Sequence, residues 1–228
     1  MNNFFPLNLL YFDNDILVIN KPAGLRTIPD GYDTKLPCVR NILLSEEYGK
    51  VWVVHRLDKD SSGILLFARN ADAHRSLNSQ FEHRTIHKEY HAFVHGSPMW
   101  DKKVINTPLL KNGDRYHRTI PDDIQGKKAL SRIEVLTRYE RNTFLSVIIE
   151  SGITHQIRTH LAHYGFPIVG DTLYGMFRAL PTLKTRFMES NHLLLHAQNI
   201  KFIHPKTGES MHIQSLLPPY FTEYVKNI

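Results

Sequence analysis

The sequence predicts an α+β fold, a central mainly antiparallel, mixed sheet with helices flanking it. Short apolar runs rich in β-forming residues follow one another through tight turns rather than through regular helical crossovers. Only a few segments carry a helical apolar period. The chain has 228 residues, 42% of them hydrophobic, so it can bury a sizeable core, and no repeat, linker or low-complexity stretch divides it. A single domain over residues 1–228 is expected.

The elements follow in order. Residues 9–19 read as two short strands around the Asp13-Asn14-Asp15 turn, closed by "NKPAGL", where Pro22 and Gly24 stop regular structure. After a loop, a helix is expected from about Leu36 to Glu46. Val51–Val54 and Gly63–Ala68 are short apolar strands on either side of "HRLDKDSS". The next stretch, "NADAHRSLNSQFEHR", opens with an Asn cap and spaces Ala73, Leu77 and Phe81 as the apolar stripe of a helix. "HKEYHAFVHG" alternates as a strand. Residues 98–127 are polar, Gly-punctuated and without clear period, and are read as an insertion or arm. "KKALSRIEVLTRYE" and "TFLSVIIES" read as paired strands turning at Arg141-Asn142. "THQIRTHLAHYG" is a helix stopped by Gly165, with Ile157, Leu161 and Tyr164 as its core stripe and His155, Arg158 and Ala162 on one flank. Two strands joined by "HPKTGE" and a short helix after Pro218-Pro219 close the chain.

Charge narrows the partners. Lys and Arg exceed Asp and Glu by 28 to 22, a net charge of +6. Residues 101–141 hold ten basic against six acidic residues, so +4 of that excess lies there, interleaved with Tyr116 and Tyr139. Basic side chains among aromatic rings suit RNA, where charge holds phosphates and rings stack on bases. A solvated charged surface would look the same. The single Cys38 rules out an internal disulfide and any zinc site of several thiolates, and "LPCVRNILL" reads it as a buried small group. The opening residues lack the pattern of a signal peptide and no run approaches membrane-spanning length, so a cytoplasmic protein is the expectation; a monomer is expected separately.

Several chemistries lack their residues. There is no Gly-x-Gly dinucleotide fingerprint. Gly170 and Gly175 have phosphate-loop spacing, but Met176 stands where the lysine belongs. In "HKEYH" the glutamate is third, whereas the zinc-helix motif needs it second. His87, Glu89 and His91 would share one face of a strand, which matches ligand types without showing ligand geometry. No cofactor and no metal is expected.

The densest chemistry lies in "HRLDKDSSGILLFAR", where His55, Arg56, Asp58, Lys59 and Asp60 crowd a loop between two apolar strands. A plain hairpin needs only Asn, Asp or Gly. Such a loop is either a solvated tip or a reaction centre carried on rigid strands. On the following strand Lys88 and Tyr90 share the face with Ala92 and Val94, as a core aromatic with a snorkelling lysine or as a functional pair. Arg158 at the edge of its helix could be a surface charge, or could reach a buried carboxylate that must be paired to stay ionised.

Three strings, "HRLDKDSSGILLFA", "KEYHAFVHG" and "SGITHQIRTHLAHYGFPIVGDTLYG", resemble in order and spacing the RluA-type pseudouridine synthases. "NKPAGL" and "LLLHAQNIKFIHPKTGE" extend the resemblance over about residues 9–217. It implies a pseudouridine synthase-like sheet with a catalytic cleft, and RNA uridine as the substrate. By the resemblance Asp58 is the catalytic aspartate, Arg56 lies beside the flipped nucleotide, and Tyr90 stacks on the uracil and serves proton transfer. Arg158 would pair with Asp58 and keep it charged and aimed. Lys88 is a helper, with His55 and His155 as further substrate contacts. No counterpart of the S4 RNA-binding domain found in many relatives is seen. The partner would be a stem-loop of ribosomal or transfer RNA. Ile153 stands where the family usually has arginine, and Ser61 where it has threonine. The residues alone leave two rivals: a hydrolytic N-glycosidase using Asp58 with Asp60, and an inactive RNA-binding module.

Overall fold

The computed structural model describes residues 7–45, 48–175 and 190–227. The chain forms two compact units, Met1–His87 with Ala197–Leu217, and Lys88–His196 with Pro218–Ile228. Eight of the strand pairs are antiparallel.

The first unit contains strands β1 (Asn8–Phe12), β2 (Ile16–Lys21), β3 (Trp52–Val53) and β4 (Ser62–Ala68), and helices α1 (Val39–Ser45) and α2 (Ala71–Glu82). Strands run β1-β2-β4, and β3 touches only the end of β4, at Trp52↔Ala68 and Val53↔Phe67. The Asp13 turn forms because its Oδ1 accepts the N–H groups of Asp15 and Ile16, each at 2.8 Å. Every residue of β4 is buried, so both of its faces are covered. One face packs Ile64, Leu66 and Ala68 with Ala73 and Leu77 of α2, and half-buried Phe81 completes the stripe that the spacing predicts. Asn70 caps α2 by accepting from the Ala73 N–H at 2.9 Å.

Helix α1 begins at Val39 rather than near Leu36. Cys38, fully buried, bridges Arg26, and the N–H groups of Val39 and Arg40 bond the carbonyls of Arg26 and Thr27. These bonds satisfy donors that an earlier helical turn would have left open. The predicted end at Glu46 lies outside the described residues. Strand β11 (Leu195–Ile203) starts in the second unit and continues in the first, where it pairs β12 (Ser210–Gln214).

The second unit holds β5 (His87–His95, from Lys88 onward), β6 (Lys102–Ile105), β7 (Leu109–Leu110), β8 (Ile120–Pro121), β9 (Ser131–Arg138) and β10 (Asn142–Ile149), with helices α3 (Gln156–His163) and α4 (Pro219–Lys226). Its strands run β5-β10-β9-β6, and β7 with β8 forms a separate two-stranded piece. Residues 98–127 thus contain three strands that the sequence pattern did not reveal. Ile105, Leu109, Arg118 and Thr119 are buried, whereas Lys111, Arg115 and Tyr116 in the tip between β7 and β8 are exposed, as are Lys102, Val104 and Ile124 elsewhere in the segment.

This hairpin explains a second difference. Helix α3 is buried from Gln156 to Ala162, on every side rather than along one stripe. The Thr159 hydroxyl donates to the Thr119 carbonyl, and His160 Nε2 meets the Thr107 carbonyl at 2.9 Å. The 98–127 segment therefore covers the helix face that an amphipathic pattern would leave to water. Tyr164, expected in the core stripe, follows the helix and is 37% exposed. Gly165 adopts a left-handed φ of +89° and ends the helix as predicted. Among the described residues no helix is long and apolar enough to cross a membrane.

Candidate active site

Residues 54–61 connect β3 to β4, and the chain there is anchored at alternate positions. Strand β3 stops after Val53, so the next rung of the ladder has no backbone partner, and His55 Nε2 fills it by accepting the Leu66 N–H at 2.9 Å. The His55 ring also stacks on Phe81, with centroids 5.0 Å apart. Leu57 is buried, and the hydroxyl of Thr27 both accepts its N–H (3.2 Å) and donates to its carbonyl (3.0 Å). The Lys59 carbonyl accepts from Lys21 Nζ at 3.0 Å. At the end of the loop Gly63 has φ +111°, and a Cβ there would lie 2.3 Å from the Ala197 carbonyl oxygen, so only glycine fits. The intervening residues are Arg56 and Asp60, both exposed, and Asp58, half-buried. Asp58 is thus flanked by Leu57 and Lys59, each tied to buried structure.

Lys21, at the end of β2, was not singled out by the sequence reading. It is fully buried, and its ammonium donates to the carbonyls of Pro22 (2.8 Å), Leu25 (2.7 Å) and Lys59. Burial lowers its pKa from 10.5 to about 7, against the opposing pull of the Asp58 and Asp60 carboxylates. A buried lysine nitrogen is therefore fixed to the loop that carries the two acids. The available signal was a lysine closing the apolar run "ILVIN" immediately before Pro-Ala-Gly.

In the second unit, Tyr90 is 8% exposed on β5, opposite Val147, and half-buried Lys88 lies opposite Ile149. Lys88 Nζ is 3.9 Å from the position a Cβ would take on Gly152, so the turn before α3 runs close beneath it. Arg158 is buried, and the carboxylate bound to it is Asp171, where the resemblance implies Asp58. Its Nε donates to Asp171 Oδ2 at 2.8 Å and its Nη2 to Oδ1 at 2.9 Å, a bidentate pair in which both side chains are buried. Asp171 Oδ1 also accepts the N–H groups of Leu173 and Tyr174. The Arg158 guanidinium carbon lies 5.2 Å from the Tyr174 ring centroid. His155 takes a left-handed conformation (φ 57°) at the N-cap of α3, not on the helix, and its Nδ1 lies 3.0 Å from the Tyr174 hydroxyl.

Two groups of metal-ligand residue types serve the packing of the fold. Asp13, Asp15 and His204 gather their ligand atoms within 4.8 Å of one another. His204 Nδ1 accepts the N–H groups of Lys206 and Thr207, so its Nε2 carries the proton that goes to Asp13 Oδ2, and Tyr11 bonds the same oxygen. The ring lone pair and the carboxylate are engaged in joining the β1–β2 turn to the turn after β11. Glu89 accepts from the Ser146 hydroxyl at 2.7 Å, and His91 Nε2 is 3.7 Å from it. His91 packs edge-on against Phe144, and burial lowers its pKa despite the glutamate. A cavity of about 720 Å³ in the second unit is lined by Arg141, His192 and Tyr220 among others, and by none of the predicted site residues.

The RNA pseudouridylate synthase family model matches residues 15–163, a span that contains Asp58, Tyr90 and Arg158. The chain belongs to this family. The synthase is 36% identical over 224 residues to "Ribosomal large subunit pseudouridine synthase C" of Buchnera aphidicola subsp. Baizongia pistaciae, covering 96% of this chain and 70% of that protein. It is 35% identical over 230 residues to "Uncharacterized RNA pseudouridine synthase YlyB" of Bacillus subtilis, covering 97% and 73%. The solved structure of human RNA pseudouridylate synthase domain containing 4 matches with a TM-score of 0.76 at 22% identity, covering 96% of this chain and 92% of that one, a likeness of fold. The synthase is an isomerase that converts RNA uridine to pseudouridine. Asp171, outside the matched span, is an addition from the structure.

Proposed function

We propose that Asp58 is the catalytic carboxylate of the synthase, acting on a uridine in a stem-loop of ribosomal or transfer RNA, with the chain working as a monomer and a single catalytic domain. The observation that carries this reading is the anchoring of Asp58 between Leu57 and Lys59, above the buried Lys21 ammonium. A carboxylate that must meet one carbon of a flipped nucleotide gains from being held rather than free to rotate.

The reaction breaks the bond from uracil N1 to ribose C1′, forms one from C5 to C1′, and moves the C5 proton to solvent while N1 gains one. It is redox-neutral. Asp58 supplies negative charge at C1′ as the base departs, as glycosidase carboxylates do. Tyr90, buried on a strand, keeps the detached base oriented by stacking and serves the proton transfer at C5. Arg158, held by Asp171 in a buried bidentate pair, is the positioned cation that the family's motif assigns to the reaction. Arg56, exposed beside Asp58, contacts the RNA where the nucleotide leaves its stack. The engaged Nε2 of His55 and the N-cap position of His155 favour holding roles for these two, with substrate contact through neighbours. The target must leave its helix first, at roughly a few kcal/mol that phosphate and stacking contacts offset.

The test uses ribosomal and transfer RNA transcripts carrying uridine tritiated at C5. Wild type releases tritium and leaves pseudouridine, Asp58→Ala does neither, and Asp60→Ala retains activity. Activity in Asp58→Ala would refute the assignment, and dependence on both acids with free uracil would point to hydrolysis.

A further inference from the structure

The tip between β7 and β8 is exposed yet built. Asp114 Oδ1 accepts the N–H groups of Tyr116 and Arg118, both at 3.0 Å, and its Oδ2 accepts from Arg118 Nε at 2.7 Å. Gly113 N–H bonds the Arg118 carbonyl at 2.8 Å, and His117 takes a left-handed φ of 55° to close the turn. Arg118 is 7% exposed, whereas Tyr116 is 56% exposed. The guanidinium carbons of Arg115 and Arg118 lie 4.7 and 5.0 Å from the Tyr116 ring centroid, and Arg115 Nη2 donates to the Tyr116 hydroxyl at 2.7 Å. An aromatic ring is therefore held at the surface by a buried arginine, with an exposed arginine against it.

The tip connects with the proposed catalytic arginine. Arg118 Nη1 donates to the Leu173 carbonyl at 3.4 Å, and Thr119 N–H bonds the Tyr174 hydroxyl at 3.0 Å. The Tyr174 ring is the one that faces Arg158. Uncompensated charge is also present there: Lys103, Lys111, Arg115, Lys127 and Lys128 have no carboxylate partner among the described residues, and Lys111 and Arg115 belong to the tip. Of the basic residues in 101–141, Lys102, Arg118, Arg132, Arg138 and Arg141 have acidic partners. Among the described residues no carboxylate pairs with Arg115.

We infer that Tyr116 is a stacking platform for an unpaired base of the RNA substrate, and that Arg115 swings from the ring to a neighbouring phosphate. A preordered ring loses little conformational freedom on stacking, and an unpaired guanidinium over it is already placed for the backbone. The inference rests on the RNA-modifying activity and adds a contact apart from the residues that perform the chemistry.

The test measures turnover on a transcript that wild type modifies in the tritium-release assay. Tyr116→Leu is expected to raise KM about 5- to 150-fold, the range for one lost base stack, with kcat unchanged. Tyr116→Phe and Tyr116→Trp should stay within about twofold of wild type, because the ring rather than the hydroxyl carries the contact. Arg115→Gln should reduce the slope of log affinity against log salt by about 0.7–0.9, the signature of one phosphate contact, while Tyr116→Leu keeps the slope. An unchanged KM in Tyr116→Leu, or equal damage in Tyr116→Phe, overturns the platform. An unchanged slope in Arg115→Gln overturns the phosphate contact. If wild type modifies no transcript, the activity and the platform fall together, which separates that failure from the others.

Discussion

At the scale of residues, the candidate site is defined as much by anchors as by reactive groups. Thr27 bonds both backbone groups of buried Leu57 through one hydroxyl. Thr27→Val keeps the shape and leaves those groups unpaired, which should destabilise by about 1–3 kcal/mol and lower kcat more than it raises KM. Urea unfolding and steady-state kinetics check the two parts. Asp171→Asn removes the charge from a buried bidentate pair and leaves Arg158 uncompensated, so a loss of about 3–5 kcal/mol is expected in the same unfolding experiment. Lys21 behaves differently. Its folded pKa of about 7 is below the unfolded value of 10.5, so between these pH values the unfolded chain holds more protons and stability rises with pH. Lys21→Met should flatten this rise relative to wild type, by on the order of 4–5 kcal/mol over the window. Equal pH dependence in the two proteins would show that Lys21 is not held as described. A charge buried at such expense, beneath the acidic loop, points to function rather than stability.

At the scale of elements, β4 and α3 show how neighbours constrain a segment. Strand β4 enters through Gly63, whose missing side chain lets the Ala197 backbone pass. Gly63→Ala forces a Cβ against backbone atoms in a left-handed conformation and should destabilise by more than about 3 kcal/mol, read as a fall in melting temperature. The short strands, α2 with its Asn70 cap and α3 with its Gly165 stop were legible because local chemistry decides them. The three strands in 98–127 were not. Their lengths of two to four residues are too short for a period-two pattern to register, and they exist because β6 pairs β9, β7 and β8 pair each other, and α3 side chains bond the flanking Thr107 and Thr119 carbonyls. For the same reason α3 looked amphipathic but is buried all round.

At the scale of the whole molecule, buried His160 and half-buried His91 make stability fall in acid. Burial lowers the pKa of His160, whose Nδ1 meets the Ser131 hydroxyl and whose Nε2 meets the Thr107 carbonyl, and burial likewise lowers that of His91. Each folded value lies below the unfolded 6.5, so the unfolded state binds more protons as pH falls, and stability is lost below about 6.5. Denaturant unfolding from pH 7.5 to 5 should show this loss, and His160→Leu should reduce its slope by up to one proton whatever its absolute stability. An undiminished slope would assign the acid sensitivity elsewhere. Charge acts at this scale too: several basic residues of 101–141 are spent on surface ion pairs, which contribute little to stability, and Arg115 is left facing outward.

From the sequence alone came the α+β class, most strand and helix positions, the family, and the proposal of Asp58, Tyr90 and Arg158 as site residues, which rests on the family's motifs. These are local matters of periodicity, capping and ordered short strings. Tertiary structure alone decided which groups hold these residues: Lys21 and Thr27 on the Asp58 loop, Asp171 on Arg158, and the burial of Arg118 behind the Tyr116 tip. Each is a contact between residues distant in the chain or a burial state. Burial and long-range hydrogen bonding are properties of the packed chain, and no window of sequence contains them.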